Sequence, residues 1–233
     1  MNYKNLGTPH KTDSLTLYNC DCMELLKQTP DNYYDICVVD PPYGIGHADT
    51  AGKQAKTQYG KACAPKANYK RKDWDAFEPD EAYFNELKRV SKNQVVWGAN
   101  YYPQHLKKSM GWIVWDKDNG NNGFSDCELA YTSFAKGLRK FLYTWNGMIQ
   151  GDMKNKESRI HPTQKPVKLY DWIFANYAEK GMKILDTHLG SGSIAISAHY
   201  AGMNLTACEL DEDYFKAACE RIHRETSQTT LAL

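Results

Sequence analysis

The sequence predicts an α/β fold: a mostly parallel sheet with helices packed against it. Three observations carry that reading. Residues 182–185 (MKIL) form a β-prone run that ends at Asp186, a glycine turn follows at Gly190 and Gly192, and residues 194–200 then have helical character. A second strand, residues 205–208, ends at Glu209 and leads into a helix over 211–224 that Asp211 can cap. Residues 34–39 (YDICVV) are a nearly continuous apolar run, as in strands covered on both faces, and stop at once at Asp40, Pro41, Pro42 and Tyr43. Strand, glycine turn, helix, strand, acid, helix is a βαβ nucleotide-binding unit, placed here in the last third of the chain.

The other elements follow in order. Residues 14–18 (SLTLY) alternate polar and apolar positions and predict a strand, after which Asp21 caps a short helix to about Lys27. A helix is expected over 80–90, with Pro79 ahead of it and Leu87 and Val90 on its apolar side. Strands are expected at 94–97, 111–115 and 126–132, and 140–144 either extends the sheet or begins a loop. Residues 166–178 carry helical periodicity, with Pro166 suited to the first turn. Two stretches lack a pattern: 47–72, and 146–160, which is expected to be mobile. With 233 residues and 42% hydrophobic composition, one core and a single domain over 1–233 are expected.

Charge excludes a global field, since 29 Lys and Arg stand against 28 Asp and Glu. A polyanionic partner must therefore be met by local clusters. The seven cysteines include no CxxC pair and the seven histidines fall at no ligand spacing, so a reduced, cytoplasmic protein without a metal site is expected. Residues 1–4 begin no apolar leader and no run approaches 18 apolar residues, which argues against secretion and membrane spanning.

Two constellations carry chemistry. Gly190 and Gly192 let the backbone turn tightly and approach a ligand, Asp186 can accept from an ammonium group, and Glu209, 23 residues later, can grip ribose hydroxyls. An adenosine-containing cofactor fits this pattern; so does a plain strand-turn-helix. A pyrophosphate cofactor fits less well, because the strict GxGxxG pattern is broken at Ala195. Asp21 either accepts from an adenine amino group or simply caps its helix. In the second constellation, one oxygen of Asp40 and the rigid Pro41 carbonyl can accept both hydrogens of a ring-conjugated amino group. They thereby direct its lone pair at an electrophile, while Tyr43 offers a flat face to a flipped base. The bland alternative is a proline-stiffened strand exit.

The stretches NCDCMELLKQTPDNYYDICVVDPPY (19–43), VVWGANYYP (95–103), HPTQKPVKL (161–169), ILDTHLGSGS (184–193) and ACELDEDYF (207–215) together resemble the amino-group DNA methyltransferases. The likeness is to the circularly permuted class of DPPY type, in which the catalytic motif precedes the cofactor motif. It implies a Rossmann-like class I methyltransferase fold with a seven-stranded sheet of order 3-2-1-4-5-7-6, strand 7 antiparallel. It further implies S-adenosylmethionine as cofactor, with Asp21 on its adenine, Glu209 on its ribose, Asp186 and Gly190 at its methionine end, Gly192 also among the cofactor-binding residues, and Thr163 and Lys165 helping to fix ribose and carboxylate. Catalysis would fall on Asp40, Pro41 and Tyr43. Thr187, His188 and Ser193 depart from the usual pattern, which has Pro and Phe after the strand-end acid and Thr after the second glycine.

Double-stranded DNA is the expected partner, and a homodimer is in keeping with the resemblance. Lys53, Lys56, Lys61, Lys66, Lys70, Arg71 and Lys72, set against the one acid Asp49, make 47–72 the main candidate for phosphate contact. Lys154, Lys156 and Arg159 mark a second candidate in 146–160. Asp40, where cytosine-directed enzymes more often carry Ser, favours adenine N6 as the acceptor over cytosine N4. A non-catalytic nucleic-acid module of the same fold is the alternative from another class.

Overall fold

Nine strands form one mixed sheet with helices on both faces in the computed structural model, which describes residues 3–45, 75, 78–120, 125–146 and 149–227. In chain order the elements are β1 (His10–Lys11), β2 (Leu15–Asn19), α1 (Cys22–Gln28), β3 (Tyr34–Val39), α2 (Glu81–Val90), β4 (Ser91–Trp97), a 3-10 turn (Ala99–Tyr101), β5 (Trp112–Asp116), β6 (Cys127–Thr132) and β7 (Arg139–Leu142). The small pair β8 (Trp145–Asn146) and β9 (Ile149–Gln150) follows, then α3 (Val167–Tyr177), β10 (Lys183–Asp186), α4 (Ser193–Ala201), β11 (Asn204–Glu209) and α5 (Glu212–Thr226).

The sheet order is β1-β2-β11-β10-β3-β4-β6-β5-β7. This corrects the expected count of seven strands. The additions are the two edges: β1, two residues antiparallel to β2, and β7, parallel to β5. An edge strand satisfies few side-chain packing demands, so β7, with three of its four residues exposed, carries no apolar period to read. Between the edges, β2, β11, β10, β3 and β4 run parallel, while β6 is antiparallel to both of its neighbours.

The pleat divides the core. Ile36, Val38, Val95, Trp97, Ile184 and Leu205 turn to the face covered by α3, α4 and α5. Cys37, Val39, Val96, Leu185 and Cys208 turn to the face covered by α1 and α2. Alternation along one strand thus feeds two cores, which is why β3 reads as unbroken apolar sequence. Asp21, Asp80 and Asp211 cap α1, α2 and α5 through their side chains, accepting from Met23, Tyr83 and Tyr214 N–H groups. No helix among the described residues is long and apolar enough to cross a membrane.

Segment 146–160, read from sequence as mobile, is tied down over its described part. The buried Gln150 side chain donates to the Glu157 carbonyl and accepts from the Glu157 N–H, at 2.9 and 2.8 Å. Segment 47–72 lies outside the described residues.

Candidate functional site

Parallel strands deliver their carboxyl ends to one edge, and the register here sets four acids along it. Glu209 pairs with Asn19, Asp186 with Ala207, and Leu185 with Cys37. Asp21, Glu209, Asp186 and Asp40 therefore leave β2, β11, β10 and β3 side by side, where open α/β sheets bind ligands.

The glycine turn is organised from several directions. Gly190 and Gly192 have φ of +52° and +76°, and a side-chain carbon on Gly192 would meet Ile222 Cδ1 at 2.8 Å. Glu209 Oε2 accepts from the Gly190 N–H at 2.8 Å, and its Oε1 accepts from Asp211 N–H at 2.9 Å. Arg221, buried on α5, donates to the Ser191 carbonyl at 2.9 Å and to Ser193 Oγ at 2.8 Å, and pairs with Glu157 at 2.7 Å. Glu157 in turn accepts the Val167 N–H at 2.9 Å, an otherwise unpaired donor at the start of α3.

Asp186 is buried and accepts from the His188 N–H at 3.0 Å. Burial, with Asp40 and Glu209 close by, pushes its carboxyl up to about 8. Such a group gains most from a cationic ligand. His188 bonds Thr187 Oγ1 through Nδ1 at 2.9 Å and stands edge-on to Tyr83 at 5.6 Å; burial holds its imidazole down to about 4, hence neutral. Tyr83 closes the group with a 2.7 Å bond to Thr187. Asp21 is exposed and accepts from Met23 N–H at 2.7 Å, leaving lone pairs for a further donor.

Asp40, Pro41 and Tyr43 emerge from β3 into a polar, aromatic niche. Tyr43 donates to Asp40 Oδ1 at 2.7 Å, and Tyr102 donates to the Pro41 carbonyl at 2.8 Å. The Tyr43 ring stacks on Tyr101 at 4.8 Å and 16°, so one of its faces is already covered. Its backbone N–H is held by Asp75 at 2.8 Å. Gly98, at φ +65°, makes room for this ring: a carbon there would lie 2.1 Å from Tyr43 Cε1. Gly98→Ala is accordingly expected to cost about 1–3 kcal/mol of stability and to displace Tyr43. Urea unfolding alongside activity checks this, and a variant with wild-type values for both would remove Gly98 from the account.

Lys165 lies at this niche. Its buried ammonium contacts Asp40 Oδ2 at 2.5 Å, Tyr43 Oη at 3.3 Å and Glu128 Oε2 at 3.1 Å. Glu128 Oε1 pairs with Lys117 at 2.7 Å. Burial raises the Asp40 carboxyl, against the opposing pull of Lys165, whereas Glu128, also penalised by burial, is held down to about 2 by its two lysines. Thr163 bonds His161 Nδ1 through Oγ1 at 3.1 Å, two residues from Lys165. Sequence reading placed Lys165 with the cofactor group and did not single out Glu128, Lys117, Arg221 or Glu157. The available signal was a lone acid inside the strand CELAYT, and an arginine beside Ile222 on the buried side of α5.

Of the residues expected to meet DNA, Lys154 and Lys156 are exposed, and the Arg159 guanidinium lies 4.6 Å over the Trp145 ring. Lys53, Lys56, Lys61, Lys66, Lys70, Arg71 and Lys72 are outside the described residues.

Residues 132–220 match a family model described as DNA methylase. The type II methyltransferase M2.MboI of Moraxella bovis is 22% identical over 91% of this chain and 89% of its own length. Among solved structures, the PvuII DNA methyltransferase, described as cytosine-N4-specific, aligns with a TM-score of 0.61 at 13% identity, covering 95% of both chains. The M1.HpyAVI-SAM complex aligns with a TM-score of 0.55 at 18% identity, covering 89% of this chain and 98% of that one. With its glycine turn between β10 and α4 and its antiparallel β6, the chain has the Rossmann-like fold of the S-adenosylmethionine-dependent methyltransferases, built on a mixed sheet.

Proposed function

We propose that the chain is an S-adenosylmethionine-dependent methyltransferase acting on an exocyclic amino group of a base in DNA, of the circularly permuted DPPY type. One observation carries the reading: an amino-group acceptor, Asp40, leaves the strand next to β10, whose end bears the glycine turn and the buried Asp186. The site residues suit the cofactor. Asp186 offers a carboxylate to a cationic methionine end, Gly190 and Gly192 bring backbone close, and Glu209 and Asp21 retain lone pairs for ribose and adenine. When bound, the sulfonium supplies a methyl group already activated for transfer, so no covalent nucleophile is needed from the protein.

The chain's own residues then align and stabilise. Asp40 and the Pro41 carbonyl accept the two hydrogens of the amino group, which turns its lone pair out of conjugation and toward the methyl group. As positive charge grows on that nitrogen, the Asp40 carboxylate stabilises it. The surplus proton passes to water afterwards. Lys154 and Lys156, together with the basic residues 53–72, supply phosphate contacts to double-stranded DNA.

For the base itself, Asp40 favours adenine N6. Cytosine N4 is the second reading, favoured by the likeness to a cytosine-N4-specific enzyme at a TM-score of 0.61. Both are tested by incubating the purified protein with unmethylated genomic DNA and methyl-labelled S-adenosylmethionine, then analysing nucleosides by mass spectrometry. Label in N6-methyladenine is the expected result. Label in N4-methylcytosine would keep the mechanism and change the base, and no label in DNA would overturn the function.

A further inference from the structure

Glu128 is the one charged residue of β6 and lies 3.1 Å from Lys165 without being its main partner. Its Oε1 is fixed by Lys117 at 2.7 Å, while its buried Oε2 lies 3.1 Å from the Lys165 ammonium. A carboxylate oxygen with capacity to spare thus faces an ammonium that gives its short bond, 2.5 Å, to Asp40.

The proposed function, on which this inference rests, makes sense of the arrangement. Asp40 Oδ2 is an acceptor the base amino group needs, and Lys165 competes for it. An ammonium held there also cancels the negative field that Asp40 must apply to a nitrogen gaining positive charge. We propose that Glu128 is a positioning residue that takes Lys165 off Asp40 as the target amino group binds, so that one ammonium moves between two carboxylates. The movement required is small, because Lys165 already touches both. No proton changes hands: Lys165 stays an ammonium, both carboxylates stay ionised, and the group of Lys117, Glu128, Lys165 and Asp40 stays neutral. Lys117 contributes by fixing Oε1, which leaves Oε2 turned toward Lys165.

The test compares Glu128→Gln with the double variant Glu128→Gln/Lys165→Met in steady-state methyl transfer to DNA, with folding followed by circular dichroism. Gln at 128 keeps the shape but cannot draw the ammonium away, so kcat is expected to fall about tenfold, equivalent to about 1.4 kcal/mol, with cofactor KM little changed. Removing Lys165 as well should restore a large part of that loss. A purely structural Glu128 predicts the reverse, since a second lesion in one packed cluster would compound the first. Should Glu128→Gln fail to fold, Glu128→Asp gives the same comparison, because it keeps the charge but withdraws it by one methylene. A single variant as fast as wild type, or a double variant no faster than the single, would overturn this inference while the function stood. A wild type inert toward DNA would overturn both.

Discussion

Asp40→Ala is expected to lower methyl transfer by about 10²–10³-fold, the range seen when one preorganised charge-stabilising group is removed, and to leave cofactor affinity near wild type. The size follows from two roles lost together: an acceptor that orients the amino group, and the negative charge of the carboxylate that directly follows β3. The separation from cofactor binding follows from the architecture, because Asp186, the glycine turn and Glu209 belong to β10, α4 and β11. Lys165 keeps Glu128 as a partner in the variant, so the fold is not left with an unpaired buried ammonium. Asp40→Asn retains one acceptor oxygen and should fall between alanine and wild type. Single-turnover methyl transfer and calorimetric titration of the cofactor check both halves, and an Asp40→Ala chain with a wild-type rate would end the catalytic assignment.

Arg221→Ala should produce the largest loss of stability of any single change discussed. The guanidinium is 2% exposed and serves three groups, the Ser191 carbonyl, Ser193 Oγ and Glu157. Breaking a buried pair by deleting one partner costs about 3–5 kcal/mol, chiefly because the other charge stays buried. For a domain of this size that corresponds to a fall in melting temperature of about 10 °C or more. The lesion also frees the glycine turn from α5, so cofactor should rescue less stability in the variant than in wild type. Thermal melts with and without cofactor measure both effects. A shift of only about 2 °C would show that the cluster contributes little.

Much of the sheet was legible because parallel strands covered on both faces must be apolar and must end in turns. Residues 34–39 appear as β3, and the acids at the ends of predicted strands, Asp40, Asp186 and Glu209, stand along one edge. Where polar residues begin a strand the reading fell short: β4 starts at Ser91 rather than 94, since Ser91, Lys92 and Asn93 carry no apolar signal. β7 was only half visible for the same reason. In the site, local sequence could name acids at strand ends, but not partners brought from afar. Lys165 lies 125 residues from Asp40, and Arg221 lies 64 from Glu157. Nothing in the spacing of either pair announces the contact, which the sheet order alone creates.

That sheet order also governs how the chain comes into being. β3 sits at the centre, but one of its two neighbours, β10, is made some 145 residues later, and β2 waits for β11. During synthesis at about 5–20 residues per second, the nascent chain carries open hydrogen-bonding edges on β2 and β3 until the βαβ unit has left the ribosome. The unit that brings the glycine turn is therefore also the piece that closes the sheet. Truncation before residue 209 would leave a sticky, strand-edged intermediate rather than a smaller folded protein.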